Sequence, residues 1–185
     1  FIRPHDREQD SYLKIKKNVN RDEFKGQSAL IIGGSRGLGE VTAKLLAAGS
    51  ADVKFTYHQG REDANRIVQE INSNGGTANC SQYDVLSPDK DSFHKALNNW
   101  YPTHLYYFTT PFIFSGTRGL FSYNLFRKFC DYYVSGFANT MNILIPLGLR
   151  GVFYPSSIAI DELPLNMGEY AVAKAAGEEL CMFYE

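Results

Sequence analysis

The sequence predicts an α/β domain: a doubly wound parallel sheet in three layers, with helices on both faces. Three observations predict it. Short apolar runs alternate with helical patterns of ten or more residues, the signature of βαβ units. The first run, Ala29 to Ile32, leads straight into a glycine-rich turn, GGSRGLGE, at residues 33–40. A chain of 185 residues with 44% apolar and 21% charged residues is large enough for one domain with its own core.

The elements follow in order. Residues 1–27 read as a polar arm or linker carrying Pro4, in which Lys14, Lys16, Lys17 and Arg21 are offset by Asp10, Asp22 and Glu23. Residues 28–32 form a buried strand. A buried helix over 38–48, patterned by Leu38, Val41 and Leu45, ends at Gly49. A second strand covers 53–57. Ala64, Ile67, Val68 and Ile71 lie at helical spacing, and Asn74-Gly75-Gly76 stops that helix. A third strand covers 77–82. Pro88 sits where a helix begins, with Phe93, Ala96, Leu97 and Trp100 as its apolar stripe. A fourth strand covers 105–108, a long helix 120–147, a fifth strand 151–154 and a last helix 168–184. Residues 28–185 therefore form the domain, with right-handed crossovers. Its aromatics around 106–114 and 121–133 read as core or helix-interface residues.

Composition narrows the function. A net charge of −1 favours neither nucleic acid nor an anionic membrane as partner. Cys80, Cys130 and Cys181 are far apart and odd in number, without a CxxC pair, so they read as free thiols of a reducing, cytoplasmic setting. The four histidines share no metal-ligand spacing, and no metal is expected. No apolar run is long enough to span a membrane. The chain opens on Phe1 and stops at Glu185 inside a helical pattern, so it reads as part of a longer protein.

The glycine turn carries the first chemical reading. In a doubly wound sheet a dinucleotide pyrophosphate docks at the first strand-to-helix turn. Glycine allows the backbone to approach the phosphates, and the helix start supplies free N–H groups and partial positive charge. Gly33, Gly37 and Gly39 have the spacing GxxxGxG rather than GxGxxG. A flexible turn without a ligand is the alternative. The second strand ends FTYHQGR, with no acid to bind the ribose 2′-OH of NAD. Arg36, with Ser35, His58 or Arg61 as helpers, could neutralise a 2′-phosphate, so NADP(H) is expected over NAD.

IGGSRGLGE resembles the TGxxxGxG segment of the short-chain dehydrogenase/reductase family, with Ile32 in the place of the threonine. YDVLSP at 83–88 resembles the family's Asp-Val segment, YPSSIA at 154–159 its serine segment, and YAVAK at 170–174 its YxxxK signature. Ser157 precedes Tyr170 by 13 residues, a spacing common in the family. The resemblance covers residues from about 25 to 185 and implies a Rossmann-like, ketoreductase-like domain. It implies that Gly33, Ser35, Arg36, Gly37, Leu38, Gly39 and His58 meet the cofactor, with Asp84 and Val85 near the adenine and Thr110 near a ribose. Tyr170 becomes the general acid/base. Lys174, one turn away on the same helix face, favours the phenolate and holds the nicotinamide ribose. Ser157 donates a hydrogen bond to the substrate oxygen, and Ser156 does so only if the strand ends one residue earlier.

Three departures accompany the resemblance. Phe108-Thr109-Thr110-Pro111 replaces the family's Asn-Asn-Ala-Gly, and Tyr133 stands where the family has a helix asparagine, with Asn139 facing elsewhere. The family's further C-terminal strands are absent, which predicts weak turnover by this stretch alone. The function expected is an NADP(H)-dependent hydride transfer between cofactor and a ketone or secondary alcohol, an acyl thioester being one candidate substrate. A non-catalytic nucleotide-sensing or scaffolding domain is the alternative, and an epimerase or dehydratase a third reading. Phe126, Phe129, Tyr132, Phe137, Met182 and Phe183 could supply a homodimer surface on the long and YxxxK helices, and neighbouring modules in a larger chain are a further possibility.

Overall fold

The structure is a computed structural model that describes residues 9–87 and 90–185. Five parallel strands form one sheet in the order β3-β2-β1-β4-β5: β1 Ser28–Ile32, β2 Asp52–Tyr57, β3 Thr77–Gln82, β4 His104–Tyr107 and β5 Gly151–Phe153. After β3 the chain returns to the opposite side of β1. The carboxyl ends of β1 and β4 therefore flank the switch point, where such sheets open a crevice. Pairings of Ala29 with Val53 and with His104 centre β1 in the sheet.

The three layers come from the period-two alternation of a strand buried on both faces. Ala29 and Ile31 point into a core shared with Val53, Phe55, Ala64 and Ile67. Leu30 and Ile32 point into the opposite core with Leu105, Phe93 and Phe137. The first face is covered by α2 (Gly37–Ala48) and α3 (Arg61–Ser73). The second is covered by α4 (Lys90–Leu97) and by a long helix in pieces: α5 (Tyr123–Cys130), a π turn (Asp131–Ser135), α6 (Gly136–Leu144) and a 3₁₀ turn (Ile145–Leu147). A four-residue α7 (Ala159–Glu162) precedes α8 (Gly168–Phe183).

Several expectations are corrected. Residues 9–27 are not a solvated arm. A short α1 (Tyr12–Lys16) buries Tyr12 completely, the Tyr12 N–H donates to Glu70 Oε1 at 2.6 Å, and its hydroxyl donates to the Ala47 carbonyl at 3.3 Å. Lys44, also buried, ties the same segment down through Glu40 (2.8 Å), Glu70 (2.9 Å) and the Asp10 carbonyl (3.1 Å). Pro4 and Pro88 lie outside the described residues. Trp100 lies beyond α4, and its indole N–H donates to Asp52 at 2.6 Å. The C terminus of α4 is instead capped from β2: Lys54 Nζ donates to the Leu97 carbonyl at 2.6 Å, satisfying a helix-end acceptor. Leu38 is exposed rather than part of the buried stripe of α2, which runs through Ala43, Leu46 and Ala47. Phe129 and Phe137 are buried within the domain, whereas Met182 and Phe183 are exposed.

Among the described residues no helix is long and apolar enough to cross a membrane. Nor does any cluster of three or more His, Cys, Asp or Glu side chains there suit a metal. The three cysteines are free and half-buried.

Candidate active site

The crevice at the switch point is a cavity of about 650 Å³ whose lining includes Gly33, Ser35, Arg36, Gly37, Leu38, Gly39, His58, Thr110, Tyr170 and Lys174. The glycine turn and the YxxxK helix, more than 130 residues apart in sequence, thus face one space.

The turn is built as a cradle. Gly33 and Gly37 have φ of 85° and 55°, which side chains disfavour. A Cβ on Gly39 would strike the Gly33 carbonyl, so the helix start sits directly on the turn. Arg36 is the N-cap of α2 and makes no side-chain capping bond. The first N–H groups of this twelve-residue helix therefore lie without a side-chain cap beside the cavity, the arrangement that receives an anion. These residues fit a dinucleotide pyrophosphate.

Around the turn, the Arg36 Nε donates to Asp63 at 2.7 Å, both side chains being partly exposed. His58 lies 3.8 Å from Asp84. Asp84 and Val85 line a smaller cavity of about 40 Å³ that shares Gly33, His58 and Thr109 with the crevice. They are adjacent to the site rather than in it. Of the aromatic stretch 106–114 expected as core or helix interface, Tyr106, Tyr107 and Phe108 pack in or against the cores, whereas Pro111, Phe112, Ile113 and Phe114 form an apolar wall of the crevice.

On the opposite wall, Tyr170 is buried apart from the crevice side, its ring edge-on to Phe129 (5.7 Å) and Tyr133 (5.6 Å). Among the described residues no hydrogen bond engages its hydroxyl. Lys174 is 5% exposed and donates to the Pro155 carbonyl at 2.7 Å. Burial pushes the Lys174 ammonium down to about 8, opposed by the nearby Cys181 and Glu178.

The two serines part company. Ser156 lines the crevice and its hydroxyl is hydrogen-bonded to Glu178. Ser157 is not among the lining residues. Its oxygen accepts the Ala159 N–H at 3.2 Å, and among the described residues its proton has no acceptor. Tyr133, at the position of the expected asparagine, is buried in the π turn, and its hydroxyl bonds that of Thr110.

Other residues of the site were not found by sequence reasoning. Glu169 is buried, and its Oε1 accepts the Ser122 N–H at 2.5 Å, joining the loop before α5 to the start of α8. Glu178 stands four residues after Lys174, so helical spacing could have found it. Asp63 and Tyr154 had no such signal, because their partners are distant in sequence.

An open parallel sheet with a glycine cradle at its first crossover and a Tyr–Lys helix on the facing wall defines a Rossmann-like α/β protein. The profile of the short chain dehydrogenase family matches residues 27–101. The chain is 42% identical over 64 residues to a versicolorin reductase of Emericella nidulans, covering 35% of this chain and 24% of that protein. It is 42% identical over 64 residues to a 3-oxoacyl-(acyl-carrier-protein) reductase of Synechocystis, covering 35% and 26%. The matched segments thus span about a quarter of these curated relatives. A solved 3-oxoacyl-(acyl carrier protein) reductase of Brucella melitensis with bound NAD superposes at a TM-score of 0.73 and 24% identity, covering 87% of this chain and 65% of that one. Residues 27–101 of the chain are thus similar to the short-chain dehydrogenase family, and the wider fold is the one its solved members share.

Proposed function

We propose that the chain is the core of an NADP(H)-dependent oxidoreductase that interconverts a ketone and a secondary alcohol. One observation carries the reading: Tyr170 and Lys174 line the same crevice as the glycine cradle. The nicotinamide cofactor supplies the hydride when bound. Gly33, Gly37 and Gly39 and the start of α2 would hold its pyrophosphate, and Arg36 its 2′-phosphate.

The chain's own part is proton transfer and charge stabilisation. The Tyr170 hydroxyl, free of other partners among the described residues, gives its proton to the carbonyl oxygen during reduction and takes it back in oxidation. The Lys174 ammonium, held at the same wall, favours the phenolate this leaves. Ser157, the neighbour of the crevice-lining Ser156, turns its hydroxyl to the substrate oxygen on binding: among the described residues its oxygen only accepts the Ala159 N–H, whereas Ser156 is engaged by Glu178. The apolar wall from Pro111 to Phe114 suits a hydrophobic ketone, and the name of the Synechocystis relative makes a carrier-bound 3-oxoacyl thioester a candidate substrate.

The preference for NADP(H) rests on Arg36 and on the absence of an acid at the end of β2. Tighter binding of NADH than of NADPH would overturn it. The test of the chemistry is Tyr170→Phe. Turnover of a small ketone should fall by about 10²- to 10⁴-fold with cofactor affinity unchanged. A sensing or scaffolding domain would bind cofactor and show no turnover before or after the substitution.

A further inference from the structure

The side of the crevice behind Lys174 contains a device that no motif marks. The Lys174 ammonium sits 4.4 Å from the ring centroid of Tyr133 and 4.4 Å from that of Tyr154. Both distances are within cation–π range. The two rings come from different elements, the π turn and the segment after β5. We propose that Tyr154 is a positioning residue which, with Tyr133, clamps the Lys174 ammonium between two aromatic faces and holds it at the crevice wall. The role of this clamp in catalysis rests on the reductase reading; the clamp itself does not.

The geometry around it is built to keep the rings in place. The Tyr154 hydroxyl donates to the Tyr133 carbonyl at 3.1 Å, and the Tyr107 hydroxyl donates to the Tyr132 carbonyl at 2.7 Å. Both acceptors lie in the π turn, where the Gly136 N–H reaches back five residues to Asp131. Two tyrosine hydroxyls from the sheet side thus grip the wide turn that carries Tyr133. Each has space because a glycine faces it. A Cβ on Gly136 would stand 2.9 Å from the Tyr107 hydroxyl, and one on Gly177 would collide with the Tyr154 hydroxyl. Tyr154 is further set by its ring contacts, 4.7 Å from Phe137 and 6.1 Å from Tyr107. Tyr133 also bears edge-on against Tyr170, so the clamp links the lysine to the proposed acid/base.

The arrangement opposes two effects on one ammonium. Burial disfavours the charge, while two ring faces and the Pro155 carbonyl favour it. The groups that face Lys174 are Tyr133 from the π turn, Tyr154 from the segment after β5, and Glu178 and Cys181 from its own helix. A lysine held this way keeps one rotamer, whereas a free lysine explores many.

NMR of the 20.8 kDa protein with labelled lysine tests the clamp without any substrate. In the wild type the Lys174 ε-methylene protons should be displaced upfield by ring currents, and their titration should centre at about 8. Tyr154→Phe keeps the ring and should keep both signatures. Tyr154→Leu should lose about half of the upfield displacement, leaving the share of Tyr133, and should move the midpoint further down, because one of the two ring faces that favour the ammonium is gone. An ordinary ε-methylene shift in the wild type would overturn the proposal even if Tyr154→Leu fails to fold, as would signals unmoved by Tyr154→Leu. Loss of both signatures in a folded Tyr154→Phe would overturn it too, because the hydroxyl bond rather than the ring would then be the cause. In turnover, kcat should fall by about 10- to 100-fold in Tyr154→Leu and recover in Tyr154→Phe. Absence of turnover in the wild type would count against the reductase reading while leaving the NMR result to decide the clamp.

Discussion

Lysine 174 is held charged in a place that opposes charge, and its replacement by methionine should make the protein more stable at neutral pH. The gap between about 8 and the ordinary lysine value of 10.5, at about 1.36 kcal/mol per pH unit, corresponds to about 3 kcal/mol. The two ring faces offset about 1 to 2 kcal/mol of this. A net gain of roughly 1 to 2 kcal/mol is expected for Lys174→Met at pH 7, or roughly half to one molar in the urea midpoint. The pH dependence gives the sharper signature. Below pH 8 the ammonium is charged in folded and unfolded chains alike, and the whole burial penalty is present. Between about 8 and 10.5 the folded chain releases its proton first, so the unfolded chain binds more protons and stability rises with pH. The wild type should regain up to about 2 kcal/mol between pH 7 and 9.5, and Lys174→Met should not. The measurement stops there because Tyr107, Tyr133 and Tyr154 are held well above the usual tyrosine range by burial. Above pH 10 their unfolded counterparts ionise first, and stability falls. Urea melts at several pH values, taken as a difference between the two proteins, cancel that contribution. A less stable Lys174→Met at pH 7, together with parallel pH profiles, would refute the reasoning. Turnover should be lost in the same variant, so stability and activity move in opposite directions.

Three further outcomes are expected. Tyr12→Ala removes a fully buried ring that anchors the first helix and should destabilise the domain by about 3 kcal/mol, read as a lower melting temperature; a loss below about 1 kcal/mol would mean that residues 9–27 are not part of the cooperative unit. Asp63→Asn releases the Arg36 guanidinium from a partly exposed pair worth about 0.2 to 1 kcal/mol. NADPH should then bind up to about fivefold tighter with NADH unchanged, and equal affinities before and after the change would argue against Arg36 as the 2′-phosphate ligand. Ser157→Ala should lower kcat by about 100-fold and Ser156→Ala should leave it within a few-fold; the reverse order would move the oxyanion role to Ser156.

Legibility in the sequence differed from place to place. Residues 28–32 and 77–82 are strands as read, because apolar alternation and flanking turn residues are local signals. The long helix was read as one element, yet it is broken by the π turn at Asp131–Ser135. Two of its carbonyls accept tyrosine hydroxyls arriving from β4 and from the segment after β5, which no local pattern encodes. The N-terminal segment looks polar on average, and a single buried tyrosine with a backbone bond to Glu70 reverses the reading. The serine segment was found, but which hydroxyl faces the crevice depends on how the chain turns after β5. Aspartate 63 and arginine 36 are 27 residues apart and could not be paired before the crossover was known.

By itself the sequence determined the alternation that makes a doubly wound sheet, the glycine cradle at its first crossover, and the tyrosine and lysine one helical turn apart. Each is a short-range property, set by spacing and by what a residue type allows its own backbone to do. The tertiary structure decided that cradle and helix face one crevice, that Lys54 and Lys44 are buried with partners, and that Lys174 lies between two tyrosine rings. Those depend on long-range packing, where the energy of a charge is set by neighbours that the chain brings in from far away.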